Sequence, residues 1–395
     1  MVRALSSNAV LAAYQILQQF RGVGAREFEM VERAVGERKR LLTKPRLSYD
    51  YNECVLTIDM PSALHEESFD YLKDCFTLAI GPLPYNHEIL TPRASMNSNL
   101  KIENKIVTPD MLIQITPVKG PRKMRLISGV GECALSESKE DVFDKVEDEI
   151  RAHPEIDLAI VVVVTEAIPY ASPAKDSTAW KALCNSKEEH SLSLDSFIDQ
   201  RSTPRSVGHP LKVAGHNWCH LDTVEYFAWV KGEDGLPIDI RNENPGYMAH
   251  GTLLPQQDMG AITAKLEAGL GKIRDTLVRL TKQITPGVDC SALEGAKISL
   301  PIKWSIAADN VLGATDVFAH DRYQAWHSVA LRGTKRARDT TYSPSGSSES
   351  EVRQASAEPE AQAVSRPSTR SMTRKGDNTP QPRKNSKGSA KRVKA

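Results

Sequence analysis

Asp110 follows Pro109 at the head of an apolar run, MLIQITP, and Glu132 lies near the end of the next run, MRLISGVGECALS. If the two runs pair as an antiparallel hairpin, the carboxylates meet across it, because residues opposite one another in a ladder are near neighbours. Two carboxylates with the carbonyl of Cys133 make a hard oxygen site, the kind that takes Mg²⁺ or Mn²⁺. An ion held there polarises a phosphodiester, lowers the pKa of a bound water and stabilises the leaving oxygen. The competing reading takes both acids as solvated strand ends, since Pro-Asp is common where turns meet strands.

The surrounding pattern must supply that hairpin. MLIQITP (111–117) reads as a strand, VKGPRK as a turn, and 124–136 as the returning strand. ESKEDVFDKVEDEIRAHP (137–154) reads as a helix started by Ser136 or Ser138, opened by acids and closed by Pro154. DLAIVVVVTEA (157–167) is apolar enough for a strand covered on both faces. Upstream, 63–80 reads as an amphipathic helix that Gly81 and Pro82 end, and 95–105 as a turn-rich approach. The first 62 residues read as helices over 5–19 and 26–41 and one strand over 47–61. Beyond Pro169 the pattern predicts a short helix over 176–189 and two strands around a Gly-Glu-Asp-Gly turn within 211–241. A long helix over 259–284 and a strand over 296–306 follow.

This layout resembles the PD-(D/E)xK, or restriction-endonuclease-like, nucleases over about 63–166, on Pro109, Asp110, Glu132 and the helix that follows. The resemblance implies a core of helix, three-stranded meander, helix and strand, with Asp110 and Glu132 as metal ligands. The fold expected is therefore α/β, a mixed central sheet with flanking helices. In that family a lysine two residues after the acid orients or activates the attacking water, and here that position is Ala134. Lys139 and Lys145 on the next helix are the candidates to reach back, with no choice between them from sequence. Glu66 or Glu67 would supply the family's optional upstream acid, with Glu88 as a competitor.

Bulk properties set the frame. The chain has 395 residues, 40% hydrophobic and 26% charged, and no uninterrupted apolar stretch of spanning length. The six scattered cysteines form no CxxC pair, which points to free thiols in a reducing compartment rather than secretion. The formal charge of +1 hides a split: residues 334–395 hold fourteen Lys and Arg against six Asp and Glu, a net of +8. That leaves 37 against 44, a net of −7, for the rest. With so few large apolar residues the tail is expected to be disordered. Its clusters KRAR (335–338) and KRVK (391–394) suit nuclear import or phosphate binding.

The expected organisation is 1–62 packing on the core, 63–169 as the nuclease-like core, 170–333 as its extension or a second subdomain, and the tail from 334. The function expected is a divalent-metal-dependent nuclease-like protein acting on or binding DNA, with a non-enzymatic interaction module as the alternative. Other motifs carry less. HNWCHLD (His216, Cys219, His220, Asp222) has zinc-ligand types without a second ligand set at structural spacing. Gly-Val-Gly at 129–131 lacks the phosphate-loop pattern and its lysine.

Overall fold

The computed structural model describes residues 17–37, 45–118, 125–135, 137–184 and 191–339. Its centre is a six-stranded sheet in the order β13-β12-β9-β8-β7-β4. These are β4 (Leu90–Met96), β7 (Met111–Pro117), β8 (Leu126–Ala134), β9 (Leu158–Glu166), β12 (Leu221–Val230) and β13 (Met248–Leu254). Within it β4, β7 and β8 form an antiparallel meander, and β9 lies parallel to β8. A parallel neighbour needs a crossover, and helix α3 (Lys139–Ala152) makes it. Ser138 caps α3 in a reciprocal capping box with Asp141.

Two apolar cores cover the two faces. Along β9, Leu158, Ile160, Val162 and Val164 enter one core, while Ala159 and Val161 enter the other. This is the period-2 consequence of a strand buried on both sides. The first core packs helix α2 (Ala63–Ile80), helix α6 (Gly260–Ile284) and helix α8 (Trp304–Asp339) against the sheet. The second packs Val142, Phe143, Val146 and Ile150 of α3 against the opposite face. Gly131 is required by the first packing. A Cβ there would lie 2.7 Å from Phe69 Cε1, so only glycine lets α2 approach this closely.

A second, five-stranded sheet has the order β1-β3-β2-β6-β5. It comprises β1 (Leu17–Arg21), β2 (Arg46–Asp50), β3 (Val55–Asp59), β5 (Leu100–Ile102) and β6 (Lys105–Val107). Helix α1 (Ala25–Glu37) packs on it through Phe28 and Val31. Strands β5 and β6 leave the main chain path between β4 and β7, and β6 pairs with β2. The N-terminal sheet is thereby carried to the end of β7 where Asp110 sits.

The differences from expectation have physical causes. Residues 17–19 pair with β3 as strand rather than helix, because LQQFR suits either period and a partner strand decides; residues 5–16 lie outside the described residues. The strand expected over 47–61 is a hairpin, β2 and β3, turning at Cys54, where φ is +52°. The turn-rich 95–105 contributes the end of β4 and all of β5. Strand β4 carries Pro92 and sits at a sheet edge, where proline is tolerated.

Downstream, β12 finds its second partner in β13, not in 236–241, where Pro237 lacks an N–H for a ladder. That pairing extends the sheet from β9, so the chain beyond residue 170 continues it. Two short strands, β10 (Leu211–Val213) and β11 (His216–Cys219), form a separate ribbon. Helices α4 (Thr178–Cys184), α5 (Leu194–Ile198) and α7 (Ser291–Glu294) are short. No strand forms over 296–306. Pro301 precedes α8, whose many alanines weaken its apolar periodicity while favouring helix. Helix α8 runs to Asp339, past the expected start of the tail at 334. Residues 340–395, and KRVK with them, lie outside the described residues.

Candidate active site: two buried acids between two cations

Asp110 immediately precedes β7 and Glu132 lies near the end of β8, with Met111 paired to Gly131. The register brings the two acids together as the hairpin argument requires. Cys133 donates its backbone N–H to Asp110 Oδ2 at 2.6 Å. Neither acid is a solvated strand end: both are 0% exposed. They sit on the α3 side of the sheet, in step with Leu112 and Val130 of the same strands.

Each acid meets a cation. Lys145 reaches in from α3, with Nζ 2.7 Å from Glu132 Oε2. Its side chain is 37% exposed, while the carboxylate that its ammonium meets is buried. Lys139 turns elsewhere: its Nζ stands 4.1 Å over the Phe227 ring and 5.3 Å over Phe143. Between the two lysines, geometry selects Lys145.

The second cation is Arg46, the first residue of β2. One terminal guanidinium nitrogen contacts Asp110 Oδ1. The other donates to Glu66 Oε1 at 2.5 Å, Nε donates to Asn97 Oδ1 at 2.5 Å, and Asp59 lies 3.7 Å away. Asn97 Nδ2 in turn donates to Glu66 Oε2 at 2.9 Å. Glu66 therefore joins the group around Asp110, whereas Glu67 interacts with Asn310 of α8. Glu88 precedes β4 at the end of the meander opposite Asp110, since Leu90 pairs with Pro117 and Met96 with Met111.

Charge is crowded here. Burial pushes the Asp110 carboxyl up to about 6, against the pull of Arg46 and Lys145. Burial also raises Glu132, opposed by Lys145 and reinforced by Asp110. Glu149, one turn beyond Lys145 on the same face of α3, is buried and interacts with Glu132. Burial and the neighbouring Glu132 hold its carboxyl well above the ordinary range. His65 Nε2 lies 3.5 Å from Asp110 Oδ2, and burial with the nearby Arg46 lowers the imidazole to about 4. Burial opposes the Lys145 charge, but Glu132, Asp110 and Glu149 hold the ammonium firmly protonated.

A cleft of about 740 Å³ opens beside these groups, lined by Glu32, Arg46, Glu66, Asn97, Asn99 and Arg125 among others. Arg46 and Glu66 form part of its wall, and Asp110 lies behind them.

The expected ligands for a divalent ion are Asp110, Glu132 and the Cys133 carbonyl. As arranged, these residues do not fit one. Both Asp110 oxygens are engaged, one by Arg46 and the other by the Cys133 N–H. Lys145 takes one oxygen of Glu132, and the Glu149 carboxyl on the same face of α3 interacts with Glu132 as well. Among the described residues no group of three or more His, Cys, Asp and Glu side chains is placed to hold a metal ion. The HNWCHLD cluster serves packing: His216 lies against Trp218 and Tyr170, and the His220 N–H donates to Glu166, which Arg322 of α8 clamps with two nitrogens.

Arg46, His65 and Glu149 were not singled out by sequence. For Glu149 the signal was present, since it stands four residues after Lys145 on one helix face. Arg46 had none, because it is one of five Lys and Arg within residues 38–46 and stands 64 residues before Asp110 in the chain.

The order helix α2, meander β4-β7-β8, helix α3 and strand β9 defines a mixed α/β protein, and the two acids sit on that meander. Among solved structures there is similarity to one from Anabaena variabilis, described as a "putative nuclease belonging to DUF820". Sequence identity is 12%, coverage is 33% of this chain and 73% of that one, and the TM-score is 0.23. A likeness that low carries no argument about activity. No family model matches the chain, and no curated protein matches it either. No helix among the described residues is long and apolar enough to cross a membrane.

Proposed function

We propose that this chain is a nuclease-like protein that acts on DNA phosphodiesters at the centre formed by Asp110, Glu132 and Lys145. One observation carries the reading: Lys145 Nζ lies 2.7 Å from Glu132 Oε2. That contact supplies from the following helix the ammonium that Ala134 does not. A fixed ammonium beside two carboxylates can orient a water and stabilise charge that develops on a phosphate oxygen. Mg²⁺ or Mn²⁺ is the cofactor that Asp110, Glu132 and the Cys133 carbonyl would take, and it enters this reading only with Arg46 off Asp110. Arg46 lines the cleft, where a phosphodiester would compete with Asp110 for its guanidinium.

The test is cleavage of single- and double-stranded DNA by the purified full chain in Mg²⁺ or Mn²⁺. Asp110→Asn and Glu132→Gln should each lower the rate by about 100-fold or more, as the loss of one charge-stabilising group does. Cleavage that survives both substitutions ends the assignment.

The second reading is a non-enzymatic interaction module on the same scaffold. It is favoured by the pinning of Arg46, which is only 5% exposed and held by Asp110, Glu66 and Asn97 at once. DNA retention without cleavage in the same assay selects it. In either reading the basic tail would raise affinity for nucleic acid and direct the protein to the nucleus. A fluorescent fusion lacking 334–395 that still enters the nucleus removes that role.

A further inference from the structure

We infer that Arg46 is the resident cation of this site, holding the Asp110 carboxylate so that the protein without nucleic acid excludes divalent ions. The inference rests on the reading of Asp110 and Glu132 as the site's acids, but not on any nuclease activity.

Arg46 is built into its place. It opens β2 opposite Asp59 of β3, so the antiparallel β2–β3 ladder fixes its backbone. Thr108 Oγ1 donates to the carbonyl of the next residue, Leu47, at 3.1 Å, tying β2 to the segment that carries Asp110. Oxygens from four separate parts of the chain then surround the guanidinium. They belong to Asp59 on β3, Glu66 on α2, Asn97 after β4 and Asp110 before β7. A planar guanidinium with donors along several fixed directions matches such a convergent set, which a point-charge ammonium does not.

The same oxygens describe what removal would leave. Without the guanidinium, Asp110, Glu66, Asp59 and the Asn97 carbonyl oxygen are left with Lys145, held on Glu132, as the nearby cation. Glu132, fully buried, stands next to Asp110 across the β7–β8 hairpin. Hard oxygens in excess of cations are the donor set for a divalent ion of the Mg²⁺ or Mn²⁺ class. With Arg46 present an incoming ion meets a fixed positive charge already in contact with Asp110. At such separations in a partly buried site, like charges repel strongly.

The experiment is Mn²⁺ binding to the full-length protein without nucleic acid, followed by the electron paramagnetic resonance of free Mn²⁺ at pH 7.5. Wild type should bind weakly, and Asp110→Asn should leave that binding unchanged. Arg46→Met, which keeps the stem and removes the charge, should bind at least about ten times more tightly, and Arg46→Met with Asp110→Asn should lose the gain. Arg46→Lys, which keeps a cation without the planar fork, should bind Mn²⁺ more weakly than Arg46→Met. Tight binding by wild type that Asp110→Asn abolishes overturns the inference, and so does a folded Arg46→Met that gains nothing. If Arg46→Met does not fold, wild type and Asp110→Asn decide: binding that Asp110→Asn weakens overturns the inference, and binding it leaves unchanged supports it. DNA cleavage is no part of this measurement, so failure of the proposed activity would be seen separately.

Discussion

The ammonium of Lys145 lies 2.7 Å from Glu132 Oε2, and these residues come from the last strand of the meander and the helix that leaves it. One partner is fully buried and the side chain of the other is partly exposed. That asymmetry makes the pair easy to break from one side, and costly, because the carboxylate left behind has no water.

Lys145→Met should therefore destabilise the fold by about 2–3 kcal/mol, below the usual range for breaking a buried pair because the lysine is partly exposed. Glu132→Gln in the same chain should restore much of the loss, since the uncompensated charge goes with it. Urea denaturation of the two single variants and the double variant measures the coupling. Purely additive effects would show that the contact contributes nothing.

Lys139→Ala separates the two lysines. Its ammonium stands over Phe227 and Phe143, so its loss should cost about 0.5–1 kcal/mol of cation–π interaction and leave any DNA cleavage intact. If cleavage instead falls with Lys139→Ala and not with Lys145→Met, the choice of Lys145 is wrong.

Asp157, just before β9, accepts a hydrogen bond from Thr276 Oγ1 at 2.9 Å, and burial pushes its carboxyl up to about 6. Its folded value lies above its unfolded one, so the fold favours the protonated form. The stability this lends is complete below about pH 4, is lost as pH rises through about 6, and is absent at neutral pH. Asp157→Asn keeps the acceptor without the charge and should raise the melting temperature at pH 7.5 while leaving it little changed at pH 4. A melting temperature lowered equally at both pH values would contradict the burial argument.

Gly131→Ala would place a Cβ 2.7 Å from the Phe69 ring and should cost about 1–3 kcal/mol through overpacking. Adding Phe69→Leu should recover part of it, as both changes act on one contact. Chemical denaturation of the pair checks this, and no loss in Gly131→Ala would mean that α2 can slide on the sheet.

Local pattern alone determined the elements that surround the two acids: α2 over Ala63–Ile80, β7 over Met111–Pro117, the capped α3 and the buried β9. Each has a short-range cause, in helical periodicity, a serine cap or a valine run, that needs no distant partner. The hairpin register that joins Asp110 to Glu132 was legible for the same reason. What the tertiary structure decided was the cations. Lys145 prevails over Lys139 because α3 crosses the sheet with one face toward Glu132 and another toward Phe227. Arg46 reaches Asp110 only because β6, inserted between β4 and β7, pairs with β2 and draws the N-terminal sheet over the acids. Buried charge is settled by whatever groups the whole fold brings within reach, and no local period encodes a contact between residues 64 positions apart.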